Sequence, residues 1–173
     1  DDRLILIDSV SKRFSTCGAR IGAIMSKNKM FIKNVLKLCQ ARLCVATLEQ
    51  VGAAALYRMP LSYADEIRDI YQKRRDIVYQ TLKEIPGVIC EKPHGAFYVV
   101  AKLPVKNAED FCLWMLEKYQ LDQETVMLSP AEGFYATKGL GVDEVRIAYV
   151  LNEQEMARAM YILKQALVVY NQK

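Results

Sequence analysis

The sequence is poor in the features that mark several protein classes. It has one histidine, His94, and no CxxC pair or Cys/His cluster. A zinc site of the common Cys/His kind is therefore excluded as an expectation, and no metal is assigned. Its five cysteines, Cys17, Cys39, Cys44, Cys90 and Cys112, are odd in number and irregular in spacing. Free thiols in a reducing compartment fit that pattern, so the cytoplasm is expected. Most of these thiols read as small apolar residues of a core, with Cys17 more exposed. No apolar run approaches the roughly 20 residues that cross a bilayer. The opening Asp1-Asp2-Arg3 does not resemble a secretory signal.

Charge of one sign is also lacking. Lys and Arg number 24 against 20 Asp and Glu, a net +4. The basic residues are dispersed, which argues against nucleic acid as a partner. Only Lys73-Arg74-Arg75 is tightly clustered. Asp69 and Asp76 flank it within a helical pattern, so it reads as a solvated helix face.

What is present is a globular composition: 173 residues, 52% hydrophobic and 25% charged. A chain of this length buries roughly two thirds of its extended surface. Leu4-Ile5-Leu6-Ile7 reads as a strand buried on both faces, as in a largely parallel sheet. A second strand is expected over 20–25, and helices over 30–38 and 48–59, the latter capped by Thr47 and stopped by Pro60. Ser62 and Asp65 resemble a capping pair for a long helix over 63–85, ended by Pro86-Gly87.

Further strands are expected at 88–90, 95–101, 125–128 and 145–150, with 129–142 as a loop. Asn107 caps a helix over 108–118 with Phe111, Cys112, Met115 and Leu116 as its buried stripe. Asn152 and Glu155 form a capping box for the last helix. The predicted fold class is α/β, with a small sandwich built on a mixed or antiparallel sheet.

The segment from Asp8 to Gly22 carries the chemistry. Lys12 follows a strand, Ser9 and Ser11 flank it, and Arg20 lies eight residues on. A lysine amine can condense with an aldehyde when held deprotonated. Hydroxyls and a guanidinium suit a phosphate. The residues alone leave two readings open: an anchor for a phosphorylated aldehyde, or a polar loop with an exposed lysine.

This segment closely resembles the lysine signature of class I/II pyridoxal-phosphate aminotransferases of the aspartate aminotransferase fold. The resemblance implies that Lys12 is the Schiff-base lysine. It implies Ser9, Ser11 and Arg20 as ligands of the cofactor phosphate. Thr16 departs from the family, which usually carries an apolar residue there. Val145-Arg146-Ile147-Ala148 resembles the small-domain strand whose arginine grips the substrate α-carboxylate, which assigns Arg146. The stretch 40–50 resembles the loop leading into the interdomain helix. Arg42 within it is a weaker substrate-binding candidate, with loop support the favoured role. His94 reads as a turn residue, and Tyr98 and Tyr149 as packing residues.

The resemblance further implies pyridoxal 5'-phosphate as cofactor and amino acid and 2-oxo acid as substrates, aspartate or a relative first. It implies a homodimer for the full-length protein. It places residues 1–61 in the tail of the large cofactor-binding domain, 62–86 in a long interdomain helix, and 87–173 in the small C-terminal domain. The family's ring-binding residues precede its lysine, and none can be assigned before Asp8. The expectation is a C-terminal portion that is inactive alone. Alternatives are decarboxylation or β-elimination on the same fold, or a non-catalytic protein-binding derivative.

Overall fold

A computed structural model describes residues 1–172. The chain forms two compact units, Asp1–Asp65 and Glu66–Lys173.

The first unit is built on an antiparallel ribbon. Strand β1 (Ile5–Ser9) pairs with β2 (Gly22–Ser26), from Ile5 opposite Ser26 to Ser9 opposite Gly22. One helical turn, α1 (Val10–Arg13), and a 3₁₀ turn (Cys17–Ala19) lie between them. Helix α2 (Lys29–Ala41) starts where the Asn28 side chain accepts the Phe31 N–H at 2.9 Å. Such a cap satisfies a backbone donor that no helical carbonyl can reach. Helix α3 (Thr47–Leu56) follows.

Two expectations fail in this unit. The apolar run at β1 is a strand, but its partner is antiparallel and Ile7 is 78% exposed. A two-stranded ribbon cannot cover its own faces. Among the described residues, α2 lines one side of it, leaving an apolar cleft of about 470 Å³ between Ile7, Ile24, Ile32 and Leu36. Thr47 is not a cap. It is the first helical residue, and the preceding Ala46 has no side chain that can accept. Gln50 instead donates its side-chain amide to the Val45 carbonyl at 2.6 Å.

The second unit has two layers. Helix α4 (Ser62–Lys83) runs into it, and α5 (Ala108–Lys118) and α6 (Glu153–Asn171) belong to it. The sheet contains β3 (Ile89–Cys90), β4 (Tyr98–Lys102), β5 (Ser129–Pro130) and β6 (Glu144–Ala148), in the order β3-β4-β6-β5. Every pairing is antiparallel. Strands β4 and β6 alternate, as the period of two demands. Val99, Ala101, Val145 and Ile147 point into the core with Leu82, Phe111, Met115, Met160 and Leu163. Burying side chains of this size contributes roughly 1.5–3 kcal/mol each. Tyr98, Val100, Glu144 and Arg146 occupy the other face.

The expected caps at Asn107 and Asn152 are present. Asn107 accepts the Glu109 and Asp110 N–H groups at 2.7 and 3.2 Å, and Asn152 accepts that of Glu155 at 2.9 Å. Residues 125–128 are not a strand. The β6 edge is paired by Ser129 and Pro130 instead, inside the stretch expected to be loop. On α5, Leu116 is 51% exposed and Trp114 takes the buried edge of the stripe. Its larger ring packs with Phe111, Tyr119 and Tyr170 at centroid distances of 6.1, 5.1 and 5.1 Å.

The basic triplet is only partly a solvated face. Arg74 donates to the Val150 carbonyl at 3.0 Å, and Arg75 to that of Pro93 at 3.2 Å. Their long stems pack while their heads tie α4 to loops. Cys17 is exposed as expected, but the core expectation fails for Cys39 and Cys44, which are exposed too; Cys90 is half-buried, and Cys112 is the buried one.

Candidate functional site

The chemistry-bearing residues fall in both units. In the first, β1 ends at Ser9, which is extended at φ −150° and caps α1 by accepting the Ser11 N–H at 3.1 Å. The Ser9 and Ser11 hydroxyl oxygens lie 2.9 Å apart, and the Ser9 hydroxyl is 3.1 Å from the Ile21 carbonyl. This turn carries Lys12, which is exposed. Val10, fully buried, points the other way and anchors the turn.

Three contacts brace the turn. Asp8 accepts the Ser9 N–H at 2.8 Å, an Arg13 N–H at 3.1 Å and the Tyr57 hydroxyl at 3.2 Å. The Ser9 N–H does most to hold the Asp8 carboxyl below its ordinary range, and Arg13 and Tyr57 add to it. Desolvation and the Asp8 charge together push the Tyr57 phenol up. Phe14 packs edge-on against Tyr57, with ring centroids 5.2 Å apart. The Thr16 hydroxyl donates to the Val10 carbonyl at 3.0 Å.

Arg20 sits in the left-handed region at φ 56°, where a non-glycine residue is uncommon. One of its N–H groups donates to the Cys17 carbonyl at 2.9 Å. A guanidinium has five donors, so others remain for an anion. Arg20 and Arg42 line one cleft of about 490 Å³, together with Gly18, Cys39, Cys44 and Glu49. Arg42 also closes α2, its backbone N–H reaching the Cys39 carbonyl at 3.1 Å while the Leu43 N–H reaches that of Gln40 at 3.0 Å.

In the second unit, Arg146 stands on β6 between Val100 of β4 and Ser129 of β5. Its guanidinium carbon lies 4.6 Å from the Tyr98 ring centroid and 4.7 Å from that of Phe134. It joins no ion pair among the described residues. A half-buried cation held by rings rather than by a carboxylate keeps its donors available for an anionic ligand.

The family model described as aminotransferase class I and II matches residues 1–163. The chain belongs to that family. Aminotransferases of class I and II use pyridoxal 5'-phosphate. The aspartate aminotransferase of Pyrococcus horikoshii is 30% identical over 171 residues, covering 96% of this chain and 41% of the relative. That of Sulfurisphaera tokodaii is 28% identical over 170 residues, covering 95% and 41%.

Among solved aminotransferases, the alanine enzyme of Pyrococcus furiosus superposes with a TM-score of 0.81 at 28% identity, over 95% of this chain and 42% of its own. The α-aminoadipate enzyme of Thermus thermophilus, complexed with N-(5'-phosphopyridoxyl)-L-leucine, gives 0.82 at 26% identity, over 95% and 42%. The chain thus spans about two fifths of the length of these aminotransferases.

The structure brings Ser9 and Ser11 together on the turn of Lys12, and Arg20 and Arg42 into one cleft. His94 is exposed in a bend before β4, and Tyr149 is buried with its hydroxyl 3.3 Å from the Ala96 carbonyl. Sequence reasoning passed over Asp8, Tyr57 and Phe134. Asp8 next to the serines, with Arg13 five residues on, was a readable signal. Tyr57 and Phe134 act through tertiary contacts that no local pattern encodes.

Proposed function

We propose that this chain supplies the lysine, the phosphate contacts and the carboxylate-binding arginine of a pyridoxal-phosphate-dependent aminotransferase. The observation carrying the reading is the paired Ser9 and Ser11 hydroxyls, 2.9 Å apart on the turn of Lys12. Two hydroxyls, the guanidinium of Arg20 and a primary amine form a donor set that fits the phosphate and aldehyde of that cofactor.

Bound there, pyridoxal phosphate supplies an aldehyde for covalent attachment and an electron sink. Ser9, Ser11 and Arg20 hold the phosphate end by charge-assisted hydrogen bonds. Lys12 provides the amine for attachment and, once freed by substrate, takes up and returns a proton at Nζ. Arg146 binds the substrate α-carboxylate and so fixes which bond at the α-carbon faces the chemistry. Arg42 supports the cleft and is the weaker candidate for a second carboxylate.

The substrate read here is aspartate or a related amino acid, converted to its 2-oxo acid. The names of the relatives support it, since the P. horikoshii and S. tokodaii proteins are aspartate aminotransferases. Residues 1–61 are assigned to the large domain, 62–86 to the interdomain helix and 87–173 to the small domain. The working protein is read as a cytoplasmic homodimer, a compartment consistent with five free thiols.

The test is borohydride trapping. The full-length protein is incubated with pyridoxal phosphate, reduced and digested. The label is expected on Lys12 and is lost in Lys12→Ala. A label on another lysine, or none, rejects the reading. Supplied with cofactor and aspartate, the 173-residue chain alone is expected to release no 2-oxo acid; turnover by it overturns that part.

A further inference from the structure

Arg146 is held differently from the ion-paired arginines of this chain, lying between two aromatic rings. The arginines at 3, 13, 68, 75 and 158 each hold a carboxylate. Arg146 holds none among the described residues, and two rings approach its guanidinium instead. An ion pair would fix the side chain but occupy its N–H fork. A cation–π contact fixes it electrostatically and leaves every N–H donor in place.

The second ring is put there by construction. Phe134 is 58% exposed, so burial does not hold it. The loop after β5 does. The Ala131 N–H reaches the Glu144 carbonyl at 2.9 Å, and the Phe134 N–H reaches Ala131 at 2.9 Å. The Tyr135 hydroxyl donates to the Glu144 carboxylate at 2.5 Å. Both anchors lie on β6, two residues before Arg146. Tyr98 is supplied by the neighbouring strand, on the same sheet face as Arg146, whose direct partner is Val100.

We propose that Tyr98 and Phe134 are positioning residues that hold the Arg146 guanidinium ready for a carboxylate without consuming its donors. The proposal rests on Arg146 being the carboxylate anchor. A mobile arginine loses side-chain entropy each time it binds; one already held by rings loses less. The rings therefore act on carboxylate affinity and leave attachment at Lys12 untouched.

The experiment uses the full 173-residue chain and nuclear magnetic resonance of the Arg146 Nε–H group. Its order parameter is measured, and the group is then followed during titration with 2-oxoglutarate as the carboxylate probe. Phe134→Leu and Tyr98→Leu are each expected to lower the order parameter and to raise the probe's dissociation constant about three- to tenfold. Tyr98→Phe keeps the ring and is expected to behave like the unsubstituted chain. Backbone amide shifts of α5 and α6 report that the fold is retained.

Probe binding that survives both leucine substitutions unchanged, with unchanged order, overturns the proposal alone. Equal or absent probe binding in the unsubstituted chain and Arg146→Lys removes the carboxylate anchor and the proposal with it.

Discussion

The Thr16 hydroxyl donates to the Val10 carbonyl at 3.0 Å, across the segment that carries Lys12. That carbonyl also accepts the Phe14 N–H at 3.0 Å. The Thr16 side chain thus ties the chain after α1 back onto α1. The polar side chain has a partner, so it costs little to enclose.

Thr16→Val keeps the shape and removes the bond. Because Phe14 still satisfies the carbonyl, the expected loss is modest, about 0.5–1.5 kcal/mol. Thr16→Ser retains the donor and is expected to lose less. Urea denaturation monitored on the first unit checks both. A valine variant as stable as the native chain would mean the hydroxyl contributes nothing net.

Legibility in the sequence divides by the range of the interaction. Asn28, Asn107 and Asn152 act on backbone groups within three residues, and the helix starts at 107 and 152 were readable. The strand at β6 was readable because strand propensity is local. The apolar run at β1 also named a strand, but its environment depends on what packs against it. The same holds for the exposed Cys39 and Cys44, the partly anchored Arg74 and Arg75, and the swap of Leu116 for Trp114. At the candidate site, the types and spacing of Ser9, Ser11, Lys12 and Arg20 were visible as a string. The Tyr57 brace on Asp8 spans 49 residues, and no window shows it.

Gly141 is expected to resist substitution. It adopts φ +73°, and a Cβ there would lie 2.4 Å from the Tyr135 ring, backed by the Ala131 carbonyl carbon at 3.3 Å. The ring cannot move freely, because its hydroxyl is bonded to Glu144. Gly141→Ala therefore combines backbone strain with overpacking, at about 2–4 kcal/mol. Gly139 has a similar φ, +84°, with nothing within 4 Å of the added carbon. Gly139→Ala is expected to cost only the backbone part, about 1 kcal/mol. Thermal melts of the two variants compare them directly, and equal losses would remove the steric argument.

Thiol chemistry should sort the cysteines by environment. Burial pushes the Cys112 thiol up to about 11, and Glu109 adds to the shift. The thiolate is the reactive form, so at pH 8 Cys112 is both protonated and shielded. Cys90 is also raised, chiefly by burial. A disulfide reagent is expected to modify Cys17, Cys39 and Cys44 rapidly, Cys90 more slowly, and Cys112 only on unfolding. Mass spectrometry of timed digests reads the order. Early labelling of Cys112 in native protein would contradict its placement.

Asp8 gives the brace a pH dependence whose sign follows from its shift. The folded carboxyl is held below its ordinary range, with the Ser9 N–H the largest cause. A depressed acid binds its proton more weakly folded than unfolded, so its contribution is fully present above the unfolded pKa. It is lost as pH falls through the lower, folded value, where the carboxylate takes a proton and releases Arg13 and Tyr57. Between neutral pH and about 5 the brace should hold constant. Asp8→Asn mimics the protonated state at any pH. It is expected to speed hydrogen exchange at the Ser9 and Ser11 amides at pH 7 and to abolish the acid-dependent part of that exchange. Tyr57→Phe removes one of three partners, so its effect should be smaller and in the same direction. Protection at Ser9 that is identical in Asp8→Asn and the native chain would show that the turn of Lys12 is held by Val10 and Thr16 alone.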